Sequence, residues 1–260
     1  MTILDEIIEN KKRELSLLYR SASVRDLEKS TSFERQIVSL SESLLDKSKT
    51  GIIAEFKRKS PSKGIINSLS TVEEVISGYC NEGASGLSVL TDSKFFAGSN
   101  EDLMSARRKS TIPILRKDFI IDEYQVLESK SIGADAILII AAALDNGKIL
   151  NLSRLARSLE MEVLLEIHEQ EELDKINQYV NIIGVNNRNL KTFEVNTEIS
   201  EILAEKISSG FLKISESGIG SPQLIRKLRD TGYDGFLIGE RFMCTTDPVK
   251  AFYDFVKDLY

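Results

Sequence analysis

Four charged residues stand where short apolar runs of the sequence end, and their types are those that general acid–base catalysis uses. Glu55 and Lys57 lie at the end of one run, Lys117 ends another and Glu166 ends a third. In an extended strand Glu55 and Lys57 point to one side, and Phe56 points to the opposite side. Buried Lys and Glu side chains shift each other's pKa, which proton transfer near neutral pH requires. A single polar residue at the end of a strand can also simply be exposed to water. The prediction of an acid–base site therefore depends on several such residues pointing inward.

Polar residues and glycines follow three further apolar runs. The first run is followed by Asn186-Asn187-Arg188, the next by Ser217-Gly218-Ile219-Gly220, and the last by Gly239-Glu240. The small residues after the last two runs let backbone N–H groups approach an anion. In parallel barrels the loops after the seventh and eighth strands recurrently bind phosphate. A glycine after a strand is commonly just a turn, so it is the paired placement that predicts a phosphate site.

The elements that must position these residues repeat regularly. From residue 51 onward, short apolar runs alternate with helix-like segments such as Val72 to Glu82, and consecutive runs begin about 26 residues apart. This spacing is typical of βα units joined by right-handed crossovers. Eight units over residues 51–260 predict an α/β fold, a (β/α)8 TIM barrel. An open doubly wound sheet is the alternative, but its GxGxxG turn is absent. The runs are Gly51 to Phe56, Gly86 to Leu90, Pro113 to Lys117, Ala136 to Ile140, Glu162 to Glu166, Ile182 to Val185, Leu212 to Ser215 and Gly235 to Ile238.

Residues 1–50 have a different pattern. Apolar residues recur at helical spacing from Ile3 to Leu18, Phe33 to Leu45 reads as a second helical stretch, and no strand is evident. We therefore expect one domain of residues 1–260, in which a helical extension of residues 1–50 precedes the eight βα units.

Composition and charge exclude several classes of function. The 260 residues carry a formal net charge of −6, which disfavours a protein that coats nucleic acid or an anionic membrane. No apolar run is long enough for a membrane span, and the charged first thirty residues argue against a secretory signal. Cys80 and Cys244 without a CxxC motif indicate the cytoplasm and no structural zinc. The only histidine, His168, excludes a multi-histidine metal site, and we expect it to have a loop or supporting role.

Seven segments together resemble the indole-3-glycerol phosphate synthase family, and the resemblance covers the chain from its first helix to its last strand. The most specific is IIAEFKRKSPSKG, residues 52–64. The others are LTDSKFFAGS, ILRKDFIIDEYQV, LLEIHEQEEL, IIGVNNRNLKTFEV, SESGI and IGERFM.

The resemblance implies an enzyme that closes the indole ring in tryptophan biosynthesis. Its substrate would be 1-(2-carboxyphenylamino)-1-deoxyribulose 5-phosphate, which loses carbon dioxide and water to give indole-3-glycerol phosphate, with no metal or organic cofactor. Lys117 matches the family's position for the acid that protonates the ketone oxygen, and Glu55, Lys57 and Glu166 match positions that share the dehydration. The extension resembles helices that lie over the barrel mouth, although its pattern equally fits a pair of helices that plug apolar surface.

The remaining site residues also come from the resemblance. Asn186 and Ser217 match positions among the catalytic and substrate-contacting groups. The expected substrate-binding residues are Ser60, Phe119, Arg188 and Leu190, and the expected phosphate-binding residues are Gly218, Gly239 and Glu240. Because some relatives have serine at position 240, Glu240 suits a phosphate only if its side chain points away and its backbone makes the contact.

Two rival functions stay open. A lysine at a strand end could form a Schiff base, as in sugar-phosphate aldolases. A non-enzymatic barrel could instead sense a sugar phosphate, although it has no use for so many inward acids and bases. In every case a phosphorylated small molecule is the expected partner, and a monomer is favoured, although the sequence does not fix the oligomeric state.

Overall fold

The computed structural model describes residues 2–21 and 23–259, and its central feature is a closed barrel of eight parallel strands. Each strand pairs with the next in chain order, and the eighth pairs with the first through Ile53 and Leu237. The structure thereby confirms the predicted barrel and excludes an open sheet. The strands of the barrel are β1 (Ile52–Phe56), β2 (Gly86–Leu90), β3 (Ile114–Lys117), β4 (Ala136–Ile140), β5 (Glu162–Ile167), β6 (Ile182–Asn186), β7 (Leu212–Glu216) and β8 (Gly235–Ile238).

Helices fill the connections between the strands and the N-terminal extension. In the fifth connection, residues 168–181, the structure forms a six-residue 3₁₀ helix, Gln170–Lys175, instead of an α-helix. No helix among the described residues is long and apolar enough to cross a membrane. The α-helices are α1 (Ile3–Ser21), α2 (Val24–Glu28), α3 (Leu40–Leu45), α4 (Val72–Asn81), α5 (Ser93–Phe96), α6 (Asn100–Lys109), α7 (Glu123–Ile132), α8 (Asn146–Ser158), α9 (Glu198–Ala204), α10 (Pro222–Asp230), α11 (Glu240–Met243) and α12 (Pro248–Lys257).

Period-two alternation along the strands divides the core into two layers. Ile53, Leu115 and Ile214 pack with one another inside the barrel. Ile52 and Phe56 pack outward in the layer that joins the strands to the helices. Burying each of these side chains contributes about 1.5–3 kcal/mol relative to leaving it exposed. The outward position of Phe56 is the one predicted, and it turns Glu55 inward.

The second helical stretch predicted in the extension is wrong over its first half, because only α3 is helical there. Before α3, the backbone N–H of Val38 donates to the buried Asp135 at 2.9 Å, at the amino end of β4, so this residue is satisfied without a helix. The N–H groups of Leu40 and Ser41, the first two residues of α3, donate to the buried Glu162 of β5 at 2.7 and 2.9 Å, which satisfies donors that the first turn of a helix leaves unpaired. The chain therefore enters α3 in an extended conformation, and Leu40 packs into the lower end of the barrel.

The α1 helix lies at the opposite end, where the strands have their carboxyl ends. Its Lys11 is 4% exposed, and the ammonium lies 3.0 Å from Asp92, 2.9 Å from Asp118 and 2.8 Å from Glu14. Burial opposes the charge, but the carboxylates outweigh it and raise the pKa of Lys11. Lys11 thus ties α1 to the loops that follow β2 and β3.

We expect Lys11→Met to lower the free energy of unfolding by about 3 kcal/mol, because breaking a buried ion pair leaves its partner charged and uncompensated. Urea unfolding measures this change, and limited proteolysis should show earlier cleavage within α1. Lys12→Met is the matched control, since Lys12 pairs with Glu9 at the surface and should shift stability by less than about 0.5 kcal/mol. Equal effects of the two substitutions would contradict the anchoring role of Lys11.

Candidate active site

A cavity of about 440 Å³ opens at the carboxyl ends of the strands, which we call the mouth of the barrel. Its size lies within the range of small-molecule sites. Ile3, Leu4 and Ile7 of α1 form part of its wall. All thirteen residues selected from the sequence line it: Glu55, Lys57, Ser60, Lys117, Phe119, Glu166, Asn186, Arg188, Leu190, Ser217, Gly218, Gly239 and Glu240.

Two lysines and three glutamates form the charged centre of the cavity. The Lys117 ammonium lies 3.1 Å from Glu166 and 3.5 Å from Glu216, and the Lys57 ammonium donates to Glu55 at 2.6 Å. All three glutamates are buried. The inward alternation predicted for Glu55 and Lys57 thus brings them to the same cavity as the ends of β3, β5 and β7.

Burial and mutual charge set the protonation states at this centre. Burial opposes the charge on Lys117, but Glu166, Glu216 and Glu55 outweigh it and raise its pKa, so the ammonium is charged throughout the neutral range. Burial likewise opposes the charge on Glu166, but Lys117 and His168 lower its pKa below the usual value. Burial raises the pKa of Glu216 to about 8, and repulsion from Glu166 and Glu55 adds to this effect. At neutral pH the site therefore holds an ionised base, Glu166, beside a largely protonated acid, Glu216.

Glu216 is the residue that the sequence analysis did not select. It is 1% exposed, and neither carboxyl oxygen accepts a hydrogen bond from the described residues. The alternation of side chains along β7 could have identified it. Glu216 lies two residues after the interior Ile214 and therefore points inward, whereas Ser215 points outward. Gly184 on the neighbouring β6 makes room for it, because a Cβ at that position would collide with the Glu216 carboxyl.

Gly239 has a packing reason as well as a predicted binding role. A Cβ at position 239 would collide with the Glu55 side chain. The glycine that the sequence assigns to phosphate binding is therefore also required for Glu55 to lie at the end of β1.

The loop after β7 turns sharply at the rim of the cavity. Ser217 and Gly218 both have a positive φ, 66° and 75°, in the left-handed region. This conformation is uncommon for serine and routine for glycine. A Cβ at Gly218 would contact Val195 closely, so the backbone must be bare here. Consecutive left-handed residues redirect the loop, which brings its backbone to the cavity wall.

Arg188 and Glu240 pair across the cavity. The guanidinium donates to the Glu240 carboxylate at 3.2 Å and to the Phe193 carbonyl at 3.3 Å, and the Lys63 ammonium lies 3.6 Å from Glu240. The side chain of Glu240 is thus directed to two cations, and the Arg188 backbone N–H donates to Asn186 at 3.0 Å.

Apolar groups line another part of the cavity. Phe119 stacks with Phe96 at a centroid distance of 6.1 Å in a tilted arrangement, and Leu190 also lines the space. Ser60 is buried in a short antiparallel hairpin after β1, in which Lys59–Ser60 pairs with Gly64–Ile65, and its hydroxyl accepts the backbone N–H of Lys63 at 3.2 Å. The cavity thus combines apolar walls with a charged centre.

Comparison with known proteins gives a consistent family. Residues 4–255 match the family model described as indole-3-glycerol phosphate synthase. A protein of that name from Bacteroides thetaiotaomicron is 47% identical over 255 residues, which cover 98% of each chain. One from Polaromonas sp. is 40% identical over 253 residues, covering 96% of each.

Similar solved structures share the fold at low sequence identity. A mutant tryptophan synthase α-subunit from Pyrococcus furiosus matches with a TM-score of 0.61 at 13% identity, covering 81% of this chain and 98% of that one. The N-acetylmannosamine-6-phosphate 2-epimerase of Clostridium perfringens matches with a TM-score of 0.58 at 13% identity, covering 76% and 90%. These neighbours confirm the TIM-barrel architecture.

Proposed function

The chain belongs to the indole-3-glycerol phosphate synthase family, and we propose that the charged centre around Lys117 carries out the family's reaction in this enzyme. That reaction converts 1-(2-carboxyphenylamino)-1-deoxyribulose 5-phosphate into indole-3-glycerol phosphate, carbon dioxide and water. The observation that carries the proposal is the Lys117 ammonium, which lies 3.1 Å from the buried Glu166 carboxylate and 3.5 Å from the buried carboxyl group of Glu216 at the mouth.

The substrate is held at both of its charged ends. We assign its phosphate to the backbone N–H groups of Gly218, Gly239 and Glu240, and its aromatic carboxylate to Arg188. Phe119 and Leu190 pack against the aromatic ring. Ser60 and Asn186 bind polar substituents between the ends, and the Ser217 hydroxyl contacts the substrate beside the phosphate. Binding in this orientation requires Arg188 to exchange Glu240 for the substrate carboxylate.

Lys117 acts in ring closure. The ring carbon that bears the carboxylate attacks the ketone carbon, and negative charge develops on the ketone oxygen. A charged ammonium beside that oxygen stabilises the charge and donates the proton. Loss of carbon dioxide then restores the aromatic ring. Because Lys117 is charged throughout the neutral range, its proton is available in every catalytic cycle.

Glu166, Lys57 and Glu55 act in the dehydration. The hydroxyl formed from the ketone must leave as water. An acid therefore protonates it, while a base removes a proton from the neighbouring carbon, which lies between the hydroxyl-bearing carbon and the nitrogen of the new ring. We assign the base to Glu166, whose lowered pKa keeps it ionised. Lys57 is assigned as the acid, and Glu55 holds its ammonium at 2.6 Å.

The α1 helix supports this chemistry by covering the mouth. Its Ile3, Leu4 and Ile7 line the cavity, and we infer that they exclude water from the reacting groups. The extension and barrel then work as one domain of residues 1–260. We further propose a monomer in the cytoplasm that binds neither nucleic acid nor membrane; the free thiols of Cys80 and Cys244 and the net charge of −6 support this proposal.

Borohydride trapping tests whether the lysines act as acids or as nucleophiles. The enzyme is incubated with substrate and borohydride, and mass spectrometry follows both lysine-containing peptides. We expect turnover without a stable adduct, because a Schiff base requires a neutral amine and Lys117 stays charged. A reduced adduct on Lys57 or Lys117 would show the aldolase-like mechanism instead.

Replacement of Arg188 should weaken substrate binding more than it slows the chemistry. We expect Arg188→Ala to raise KM by roughly 10- to 100-fold, since hydrogen bonds to charged groups contribute about 1.5–3 kcal/mol. Arg188→Lys should recover only part of this loss, because lysine lacks the planar fork. Steady-state kinetics measure both variants, and Lys191→Ala, an exposed residue of the same loop, is the control. A fall in kcat with an unchanged KM would exclude the assigned contact.

A further inference from the structure

The single histidine of the chain lies directly behind the charged centre. His168 follows β5, and its side chain is 10% exposed. Its Nε2 lies 3.4 Å from Glu166 Oε1, whereas the Lys117 ammonium lies 3.1 Å from Glu166 Oε2. The two oxygens of one carboxylate therefore face two different cationic groups. Neither ring nitrogen of His168 has a hydrogen-bond partner among the described residues.

A second carboxylate faces the other side of the ring. Glu172 Oε2, from the 3₁₀ helix after β5, lies 3.8 Å from His168 Nδ1 and accepts the backbone N–H of His168 at 2.6 Å. Glu216 of β7 also favours a positive ring, in the part of the pH range where Glu216 is ionised. Among the residues that the structure describes, the ion pairs of Glu166 and His168 include one other cation, Lys117, and it lies beyond Glu166. The ring thus lies between two carboxylates.

We propose that His168 is a positioning residue for the reaction, an imidazolium that holds Glu166 opposite Lys117 and is itself held by Glu172. This inference rests on the proposed role of Glu166 as a base. His168 faces one oxygen of Glu166 and Lys117 faces the other, so the two cations together fix the direction of this carboxylate. Glu172 in turn holds the ring of His168. His168 does not touch the substrate.

The charge states of these groups agree with this arrangement. Burial opposes a charged imidazole, but Glu172, Glu166 and Glu216 outweigh it and raise the pKa of His168 above its usual value. The positive ring in turn lowers the pKa of Glu166. With His168 charged, Glu166 therefore stays ionised at a more acidic pH than it would without this ring.

The titration of the ring can be observed without any turnover. Because the chain has one histidine, protein prepared without a histidine tag gives one titrating imidazole signal in proton NMR. We expect a pKa above the usual value for histidine, and a decrease of roughly one pH unit in both Glu166→Gln and Glu172→Gln, since a neighbouring charge shifts a pKa by about that much. Glu169→Gln, which removes an exposed carboxylate from the same turn, should leave it unchanged. An unchanged pKa in Glu166→Gln would overturn the proposal.

The pH profile of kcat/KM tests the consequence for catalysis. Its acidic limb reports the essential base of the free enzyme. We expect His168→Asn to move this limb to higher pH by roughly one unit, so the variant loses about 10-fold more activity at acidic pH than on the plateau. Loss by the same factor at every pH would show a merely structural role and overturn the proposal. If the wild type failed to turn over substrate, only the assigned reaction would be contradicted. The change in the His168 pKa in the Glu166 and Glu172 variants would still test whether His168 interacts with these two carboxylates.

Discussion

Lys117→Met is expected to lower kcat by about 1000-fold or more while KM changes only a few-fold. General acids contribute roughly 10²- to 10⁴-fold, and Lys117 also stabilises the charge that develops on the ketone oxygen. This charge exists in the transition state and not in the bound substrate, so the loss falls on kcat. Methionine keeps an unbranched side chain of nearly the same length and removes the ammonium group with its proton and its charge. Steady-state kinetics with the carboxyphenylamino-deoxyribulose phosphate measure the effect.

Two controls separate chemistry from folding in this variant. An analogue whose ketone is reduced to an alcohol should bind to Lys117→Met within a few-fold of wild type, as measured by calorimetry. Lys109→Met, at an exposed position of α6, should leave kcat unchanged. A kcat within 10-fold of wild type in Lys117→Met would remove Lys117 from its assigned role as the acid.

Glu166→Gln is expected to lower kcat by roughly 100- to 1000-fold, because glutamine keeps the shape of the side chain but cannot accept a proton. If Glu166 serves the dehydration, ring closure and loss of carbon dioxide should still proceed in the first turnover. Rapid-quench experiments should therefore show carbon dioxide released ahead of the indole product, and the cyclised alcohol should accumulate.

The matched control for Glu166→Gln is Glu171→Gln, which neutralises an exposed carboxylate just after the same strand. It should leave the rate unchanged. If carbon dioxide and indole instead appeared together at the same reduced rate, Glu166 would act before or during loss of carbon dioxide, and its assignment to the dehydration would be wrong.

The sequence predicted the barrel because its signal is local and repeated. A strand buried on both faces reads as an apolar run, and the runs around Ile53 and Ile137 begin within a residue of the observed strands. The polar residues that end the runs then meet at one mouth by topology alone. Topology thus correctly predicts that Lys57 and Lys117 line the same cavity.

Other features depend on contacts distant in the chain. The extended approach to α3 depends on Asp135, which accepts the backbone N–H of Val38, and the start of α3 depends on Glu162, which accepts the N–H of Leu40. These carboxylates are 97 and 122 residues away in sequence. The orientation of Glu240 toward Arg188 likewise requires two separate loops to meet. Glu216 differs from these, since its phase with Ile214 was readable and only its altered pKa required the fold.

The overall charge and the local charge have opposite signs. The chain carries a net charge of −6, but Lys57, Lys117 and Arg188 line the cavity for a substrate with two anionic groups. A buried carboxylate pairs with each lysine, Glu55 with Lys57 and Glu166 with Lys117, so the site contains two ammonium groups without an excess of positive charge from them. Local pairing, and not net charge, sets the chemistry of the site.

The most direct measurement is the fluorescence of indole when the carboxyphenylamino-deoxyribulose phosphate is added to purified enzyme. The chain contains no tryptophan, so an indole signal has to come from product. We predict a rising indole signal matched by an equal amount of carbon dioxide in the wild type, and a signal reduced about 1000-fold in Lys117→Met. No indole signal from the folded wild-type enzyme, or an equal rate in Lys117→Met, would contradict the proposal that the charged centre around Lys117 closes the ring.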